Sequence, residues 1–242
     1  MRYGIFSDVH SNLEALEAVV EAYKKEAIDQ YLCVGDVVGY AANPKECAFI
    51  VKSLAAQTVA GNHDWAAVGL FSTEFFNPHA KNAILWTAKQ LPEKEKDFFK
   101  NLKLVYTNEH LTLVHGTLSE PEKFGYIEDL DGAQDSFWLQ ETDICFIGHT
   151  HVPGVFVKDN KGKTTYSKNE VTVISGGCKY LVNVGSVGQP RDDNPKASYC
   201  IFDTTRKKVY IKRLSYDIKK AQDKIFSSGL PLSLANRLEF GT

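Results

Sequence analysis

No stretch of this 242-residue chain approaches the roughly 18 apolar residues of a membrane span, and the amino terminus, Met1-Arg2-Tyr3-Gly4-Ile5-Phe6-Ser7-Asp8, has no apolar signal region. The expected location is therefore cytoplasmic, with no membrane partner. An excess of positive charge is also missing. The 28 Lys and Arg against 30 Asp and Glu leave a net charge of -2, which argues against general binding to nucleic acid or anionic lipid. Disulfide and thiolate patterns are absent too. Five cysteines make an odd count with no Cys-x-x-Cys pair, and Cys33 and Cys145 lie inside apolar runs, so buried reduced thiols in a reducing compartment are expected. There is no internal repeat, low-complexity tract or linker, so residues 1–242 are expected to form a single domain with a helical tail from about residue 217. The 43% of hydrophobic and 24% of charged residues suit a globular chain able to bury a sizeable core.

What is present in the first half is an alternation of short apolar runs with helical patterns. Residues 3–6, 31–34 and 57–60 read as strands. Residues 12–26 read as a helix with Leu13, Leu16, Val19, Val20 and Tyr23 on one face, and residues 44–54 as a second helix opened by Pro44. This order predicts crossovers and a largely parallel sheet. Residues 77–101 are helical, broken at Leu91-Pro92. Strands follow at 111–114, 144–147, 155–158, 164–174, 181–184, 198–202 and 207–214, with a hairpin turn at 158–163. The tail carries two helical patterns around Gly229-Leu230-Pro231.

Five fragments rich in metal-binding residue types fall at the ends of these strands. They are Asp8-Val9-His10, Gly35-Asp36, Gly61-Asn62-His63-Asp64, His115-Gly116 and Gly148-His149-Thr150-His151. Taken singly, each is an ordinary turn, cap or solvated histidine. Loops beyond the carboxyl ends of strands converge in α/β sheets, so together they can build one site. The donors are carboxylate, imidazole and amide oxygen without thiolate, which favours manganese, iron or zinc over copper or an iron–sulfur cluster.

In combination, these fragments resemble the signature of the calcineurin-like metallophosphoesterase superfamily. The stretches Asp36-Val37-Val38-Gly39-Tyr40, Asn43-Pro44, Trp86-Thr87, Asn183-Val184-Gly185-Ser186-Val187-Gly188-Gln189-Pro190-Arg191 and Ser228-Gly229-Leu230-Pro231 resemble its small bacterial and archaeal phosphodiesterase-like branch. The resemblance covers nearly the whole chain. It implies an α/β fold, a four-layer α-β-β-α sandwich with two facing mixed β-sheets flanked by helices. It implies two divalent metal ions, manganese first, with iron, zinc or nickel as alternatives. One ion would take Asp8, His10, Asp36 and His151. The other would take Asp36, Asn62, His115 and His149, with Asp36 shared. His63 would be the general acid, held and polarised by Asp64. The implied activity is hydrolysis of a phosphodiester by attack of a metal-bridging hydroxide, on a phosphorylated small-molecule or nucleotide-like substrate. The alternatives are a phosphomonoesterase, a protein phosphatase, a dinucleoside polyphosphate hydrolase or a non-catalytic binding scaffold. Protein phosphatase is disfavoured, because His63-Asp64-Trp65 stands where that branch carries an acidic residue and an arginine-bearing pattern.

Outside the fragments, Arg191 is weighed evenly between a substrate phosphate clamp and an ion pair with Asp192 or Asp193. Asn12 is read first as a helix cap, with substrate contact as the alternative. His79 and His110 are expected at the surface. Trp65, Phe71, Phe75, Phe76 and Trp86 are read first as packing, with a substrate pocket wall as the alternative. Oligomeric state is left open.

Overall fold

The computed structural model describes residues 1–242. Its first half runs β1 (Arg2–Phe6), α1 (Leu13–Tyr23), β2 (Gln30–Cys33), α2 (Pro44–Ser53), β3 (Gln57–Thr58), α3 (Asn62–Ala67), α4 (Pro78–Gln90), α5 (Glu93–Lys100), β4 (Val105–Thr107) and β5 (Thr112–Val114). The second half runs α6 (Gln134–Leu139), β6 (Ile144–Ile147), β7 (Gly154–Lys158), β8 (Thr164–Ser167), β9 (Val171–Val173), β10 (Lys179–Asn183), β11 (Ala197–Asp203), β12 (Lys208–Leu214), α7 (Ile218–Ser227) and α8 (Leu232–Phe240). No helix is long and apolar enough to cross a membrane.

Local chemistry sets the helix ends. The Asn12 side chain accepts from Ala15 N at 3.2 Å to open α1, and Asn77 accepts from Ala80 N at 2.9 Å to open α4. Pro44 and Pro78 occupy first-turn positions that need no N–H. Pro92 disfavours helical geometry at Leu91, so the helical stretch of 78–100 divides into α4 and α5.

The strands form two six-stranded sheets, ordered β3-β2-β1-β11-β12-β9 and β4-β5-β6-β10-β7-β8. Both are mixed. The pairings β1–β2, β2–β3, β5–β6 and β6–β10 are parallel, and the others are antiparallel. The expectation of a largely parallel sheet therefore held only for the crossover-connected strands. Where short loops join neighbours, as at β7–β8 and β11–β12, the chain must turn back on itself. The run 164–174, expected as one strand, is two. β8 pairs with β7 in the second sheet and β9 with β12 in the first, so residues 168–170 carry the chain from one sheet to the other.

Burial with period two builds the layers. Tyr3 and Ile5 of β1, Ile144 and Phe146 of β6, and Tyr180 and Val182 of β10 meet between the sheets. Their neighbours in sequence face outward: Phe6 joins Leu16, Val19 and Tyr23 of α1, whereas Cys145, Ile147 and Leu181 join Phe137 of α6. Both faces of these strands are buried, giving the four-layer α-β-β-α sandwich. A further cluster packs Ala221 and Ile225 of α7 and Leu234 and Leu238 of α8 against Tyr40 and Ala83. All five cysteines are free thiols, and Cys33, Cys47, Cys145 and Cys200 are buried.

The parallel strands β1, β2, β3, β5, β6 and β10 end at one edge of the sandwich, where their loops are stitched together. Asp8 N donates to Gly35 O at 3.0 Å, His10 N to Asp36 O at 3.0 Å, Gly148 N to His115 O at 3.0 Å and Gly188 N to Asp8 O at 3.0 Å. Gly188 has no room for a side chain, since a Cβ there would lie 1.8 Å from Val9 O. The contact is backbone on backbone, so Gly188→Ala should destabilise the fold by about 1–3 kcal/mol, the usual cost of overpacking. A denaturant midpoint equal to that of the parent would show that the loop yields freely.

Candidate metal centre

Asp8, His10, Asp36, Asn62, His115, His149 and His151 are all buried at this edge. Each comes from the loop or helix start that follows one of the parallel strands. The structure brings together three overlapping groups whose ligand atoms lie within 4.8 Å of one another: Asp8, His10 and His151; His10, Asp36 and His63; and Asp36, His115 and His149. Asp36 lies between the outer two groups, with Oδ2 3.6 Å from His10 Nε2 and 3.3 Å from His115 Nε2. Asp8 Oδ1 is 3.2 Å from His151 Nε2 and 3.7 Å from His10 Nε2.

Hydrogen bonds at the outer ring nitrogens decide what the inner ones present. His10 Nδ1 donates to Val38 O at 3.2 Å, His115 Nδ1 to Val34 O at 2.7 Å and His151 Nδ1 to Gln189 O at 2.5 Å. A carbonyl only accepts, so each Nδ1 carries a proton, and the Nε2 of any of these rings carries a lone pair when that ring is neutral. His10 Nε2 and His151 Nε2 face each other at 3.0 Å. Two lone pairs at that distance would repel, so a proton or a metal cation must lie between the rings, and a metal ion would engage both. Asp8 Oδ1, Asn62 Oδ1 and His149 Nε2 are further buried acceptor atoms without a hydrogen-bond partner. Carbonyl-anchored imidazoles of this kind are the usual outer support of metal ligands. The donor set fits a divalent metal ion.

Electrostatics favour neutral rings at His149 and His151 and a charged one at His115. Burial, followed by the positive charge of His115, pushes His149 down to about 3, so its ring is neutral and free to ligate. Burial and then Arg191 do the same to His151, also to about 3. Burial likewise disfavours charge on His115, but the carboxylates of Asp36 and Asp8 outweigh it and raise that ring to about 9. Burial also opposes ionisation of Asp8 and Asp36, yet the surrounding histidines hold both carboxyls well below the usual range.

The backbone is strained at the same places. Asp8, His10, Asp36, His149 and His151 all have left-handed φ, at 53°, 48°, 52°, 69° and 62°. Such conformations cost non-glycine residues about 1–3 kcal/mol each and collect at functional sites. Close approach is enforced as well: a Cβ at Gly61 would lie 2.0 Å from Asp36 Oδ1, and one at Gly148 would lie 2.5 Å from Asp8 Oδ2.

His63 sits in the first turn of α3, its backbone N donating to Asp36 Oδ1 at 2.8 Å. Its ring lies 4.7 Å from that of His10 and 4.5 Å from that of Tyr40, and Nδ1 is buried without a partner. Asp64 does not hold this ring as expected. Its carboxylate instead accepts from Val37 N at 2.8 Å, Val38 N at 3.1 Å and Gly61 N at 3.2 Å. Successive residues of a helical turn point in different directions, so Asp64 braces the Asp36 loop and not its neighbour. Burial and the Asp36 charge push the Asp64 carboxyl up to about 8 against the pull of these N–H groups.

Asn12 serves as the helix cap first expected of it. Its amide oxygen accepts from Ala15 N to cap α1, and its Nδ2 donates to Gly188 O at 2.8 Å. Arg191 escapes the ion pair considered for it, because Asp192 pairs with Arg213. Its Nη2 donates to Gln189 Oε1 at 2.9 Å and to Tyr40 OH at 3.3 Å, and its charge opposes protonation of His63 and His151. Lys179, one of two lysines without an assigned role, is tied to Phe137 O and Gln140 O. His79 is exposed and His110 packs edge-on against Tyr3.

The aromatic stretch divides. Trp86 packs with the tail helices and Trp65 lies edge-on to Phe124, whereas Phe71, Phe75 and Phe76 line a cavity that also reaches His63 and His149. Opposite them stand Phe124 and Tyr126, and the Tyr126 ring stacks on His149 at 3.8 Å between centroids and 18° between planes. Sequence reasoning missed both. Residues 117–133 have neither strand nor helix periodicity, and nothing in the sequence signals that this irregular segment folds over the ligand loops.

Comparison with known proteins accords with this geometry. A model of the calcineurin-like phosphoesterase superfamily domain matches residues 1–207. The chain is 40% identical over 241 residues to an uncharacterized protein of Methanocaldococcus jannaschii, covering 98% of this chain and 97% of that one. A metallophosphoesterase from Sphaerobacter thermophilus is 38% identical and superposes with a TM-score of 0.89 over 100% of this chain and 99% of that one. A hypothetical protein from Pyrococcus horikoshii OT3 shares the fold, with 19% identity and a TM-score of 0.82 over 100% of this chain and 98% of that one. A match of this extent, at the edge where the buried donors converge, leaves one assignment: the chain belongs to the calcineurin-like phosphoesterase superfamily and resembles its small bacterial and archaeal metallophosphoesterases.

Proposed function

We propose that the protein is a phosphodiesterase working with two divalent metal ions, of which manganese is the first expectation. The observation that carries this reading is the pair of carbonyl-anchored imidazoles, His10 and His151, whose Nε2 atoms converge beside the Asp8 carboxylate. Asp8, His10, Asp36 and His151 would hold one ion, and Asp36, Asn62, His115 and His149 the other. When bound, such a pair supplies Lewis acidity, lowering the pKa of an attacking water and neutralising phosphoryl oxygens.

The side chains around it supply orientation and protons. His63 would protonate the departing alkoxide. Burial pushes this ring well down, with His10, Arg191 and His151 adding to the effect and Asp36 opposing it. An anionic phosphodiester beside the ring favours imidazolium, so substrate binding would charge the acid that the reaction consumes. Arg191, held by Gln189 and Tyr40, would offer its remaining N–H groups to a phosphoryl oxygen. Buried Cys33 and Cys47 are pushed well up by desolvation and are unsuited to act as nucleophiles.

The preference for a diester rests on charge. A monoester carries up to two negative charges near neutrality, and a site selecting it gains from several cationic side chains. Arg191 is the arginine of the ligand loops, and Lys123 reaches only the adjoining cavity. With one saturating metal, kcat/KM for bis(4-nitrophenyl) phosphate should exceed that for 4-nitrophenyl phosphate. A clear preference for the monoester sinks this assignment.

Asp36→Asn should lower the metal content of the purified protein and abolish turnover, because Asp36 lies between both ligand groups. A fully metallated, active variant would disprove its shared role. His63→Ala should retain metal but lose roughly 10²–10⁴ in rate on esters with poor leaving groups, the usual worth of general acid catalysis. The loss should shrink for nitrophenolate, which departs without a proton. Equal losses across leaving groups would remove His63 from the acid role.

A further inference from the structure

The cavity beside His63 is more than a channel to the metal-ligand loops. It encloses about 210 Å³, and its wall includes Asn62, His63 and His149, so it opens directly onto the proposed reaction centre. The rest of the wall is largely aromatic: Phe71, Phe75, Phe76, Phe124 and Tyr126. Packing accounts for some of these rings. Phe76 lies edge-on to His63 at 4.9 Å, and Phe71 lies edge-on to Phe124 at 5.1 Å. It does not account for Phe75, which is 88% exposed, nor for Tyr126, which covers His149 with one face yet is 54% exposed. Two large rings lining one cavity stay open to water, so each keeps surface free for a planar group.

Size and rim chemistry narrow the occupant. The volume is below the ~300–1,000 Å³ of sites for drug-sized ligands, which limits it to about one ring system. The rim is polar. Asn77 commits its side-chain oxygen to capping α4, which leaves its NH₂ to donate elsewhere. Lys123, in a short 3₁₀ turn at Pro121–Lys123, brings an exposed ammonium that is paired with Glu120 at 2.6 Å. Donors at the edge of an aromatic slot suit a heterocycle with ring nitrogens and carbonyls better than a plain hydrocarbon ring. Aromatic side chains serve as stacking platforms for bases in many proteins.

We propose that this cavity is a nucleoside subsite, in which the base of a nucleotide ester stacks against Phe75 and Tyr126 while its phosphorus lies among the ligand loops. The proposal rests on the phosphodiesterase reading for the position of the phosphorus and adds the class of group attached to it.

Equilibrium binding tests it without turnover. Manganese-loaded protein is titrated calorimetrically with adenosine 5′-monophosphate, phenyl phosphate and ribose 5-phosphate. The adenine nucleotide should bind roughly tenfold more tightly than ribose 5-phosphate, in line with the worth of one stacked base, and phenyl phosphate should fall between them. Phe75→Ala and Tyr126→Ala should each remove most of that advantage, and Phe75→Trp should preserve it. Phe75 is so exposed that its replacement leaves the core untouched. Equal affinities for the nucleotide and ribose 5-phosphate, or an advantage that survives both alanine substitutions, overturn the subsite. Phenyl phosphate binding as tightly as the nucleotide overturns the nucleobase assignment in favour of a simple aryl group. The two readings fail separately. A protein that hydrolyses diesters but ignores the base loses only the subsite, and one that selects the nucleotide yet hydrolyses no diester loses only the phosphodiesterase reading.

Discussion

The Nε2 atoms of His10 and His151, 3.0 Å apart and sealed from water, set the terms for everything around them. Neither ring can adapt by changing tautomer, because each Nδ1 is already committed to a carbonyl, of Val38 and Gln189 respectively. Those carbonyls belong to loops from different sheets. The close approach is therefore built into the sandwich, and a bound cation would turn it into coordination. The strained backbone at Asp8, His10, Asp36, His149 and His151 follows from the same demand, since the chain must reverse sharply at the end of each strand to aim a short side chain at one point.

The scaffold bears this cost through its two-sided burial. Strands such as β1, β6 and β10 are packed on both faces, so their carboxyl ends are fixed by the core on one side and by helices on the other. Asp64 shows how far the bracing extends. A buried carboxylate that looks like a partner for His63 instead takes three backbone N–H groups and locks the loop carrying Asp36. The tail helices α7 and α8 add a second support by packing against Tyr40, whose ring lies beside both His10 and His63 and whose hydroxyl accepts from Arg191.

The site was legible because its fragments repeat one pattern, an apolar run that ends in ligand types, with a glycine beside them in four of the five, and that pattern depends on local chemistry. The same locality explains the errors. Asp64 follows His63 in sequence, and only the helical turn of α3 shows that the two side chains diverge. Asn12, by contrast, reads first as a cap from local pattern alone, and it accepts from Ala15 N. The run 164–174 has continuous strand character, but its division between two sheets depends on which edges are free to pair, a property of the whole assembly.

By itself the sequence determined the elements and the chemistry. Apolar periodicity placed most strands and helices, proline and asparagine set helix starts, and the carboxylate, imidazole and amide types pointed to divalent metal binding. Tertiary structure decided the rest: the mixed sheets, the side of the Asp36 carboxylate facing each histidine group, the freedom of Arg191 from Asp192, and the aromatic cavity closed by Phe124 and Tyr126. The physical reason is range. Strand and helix propensities act over a few neighbouring residues, whereas the distances that define this site join residues about 30 to 140 positions apart, such as His115 with His149 and His10 with His151.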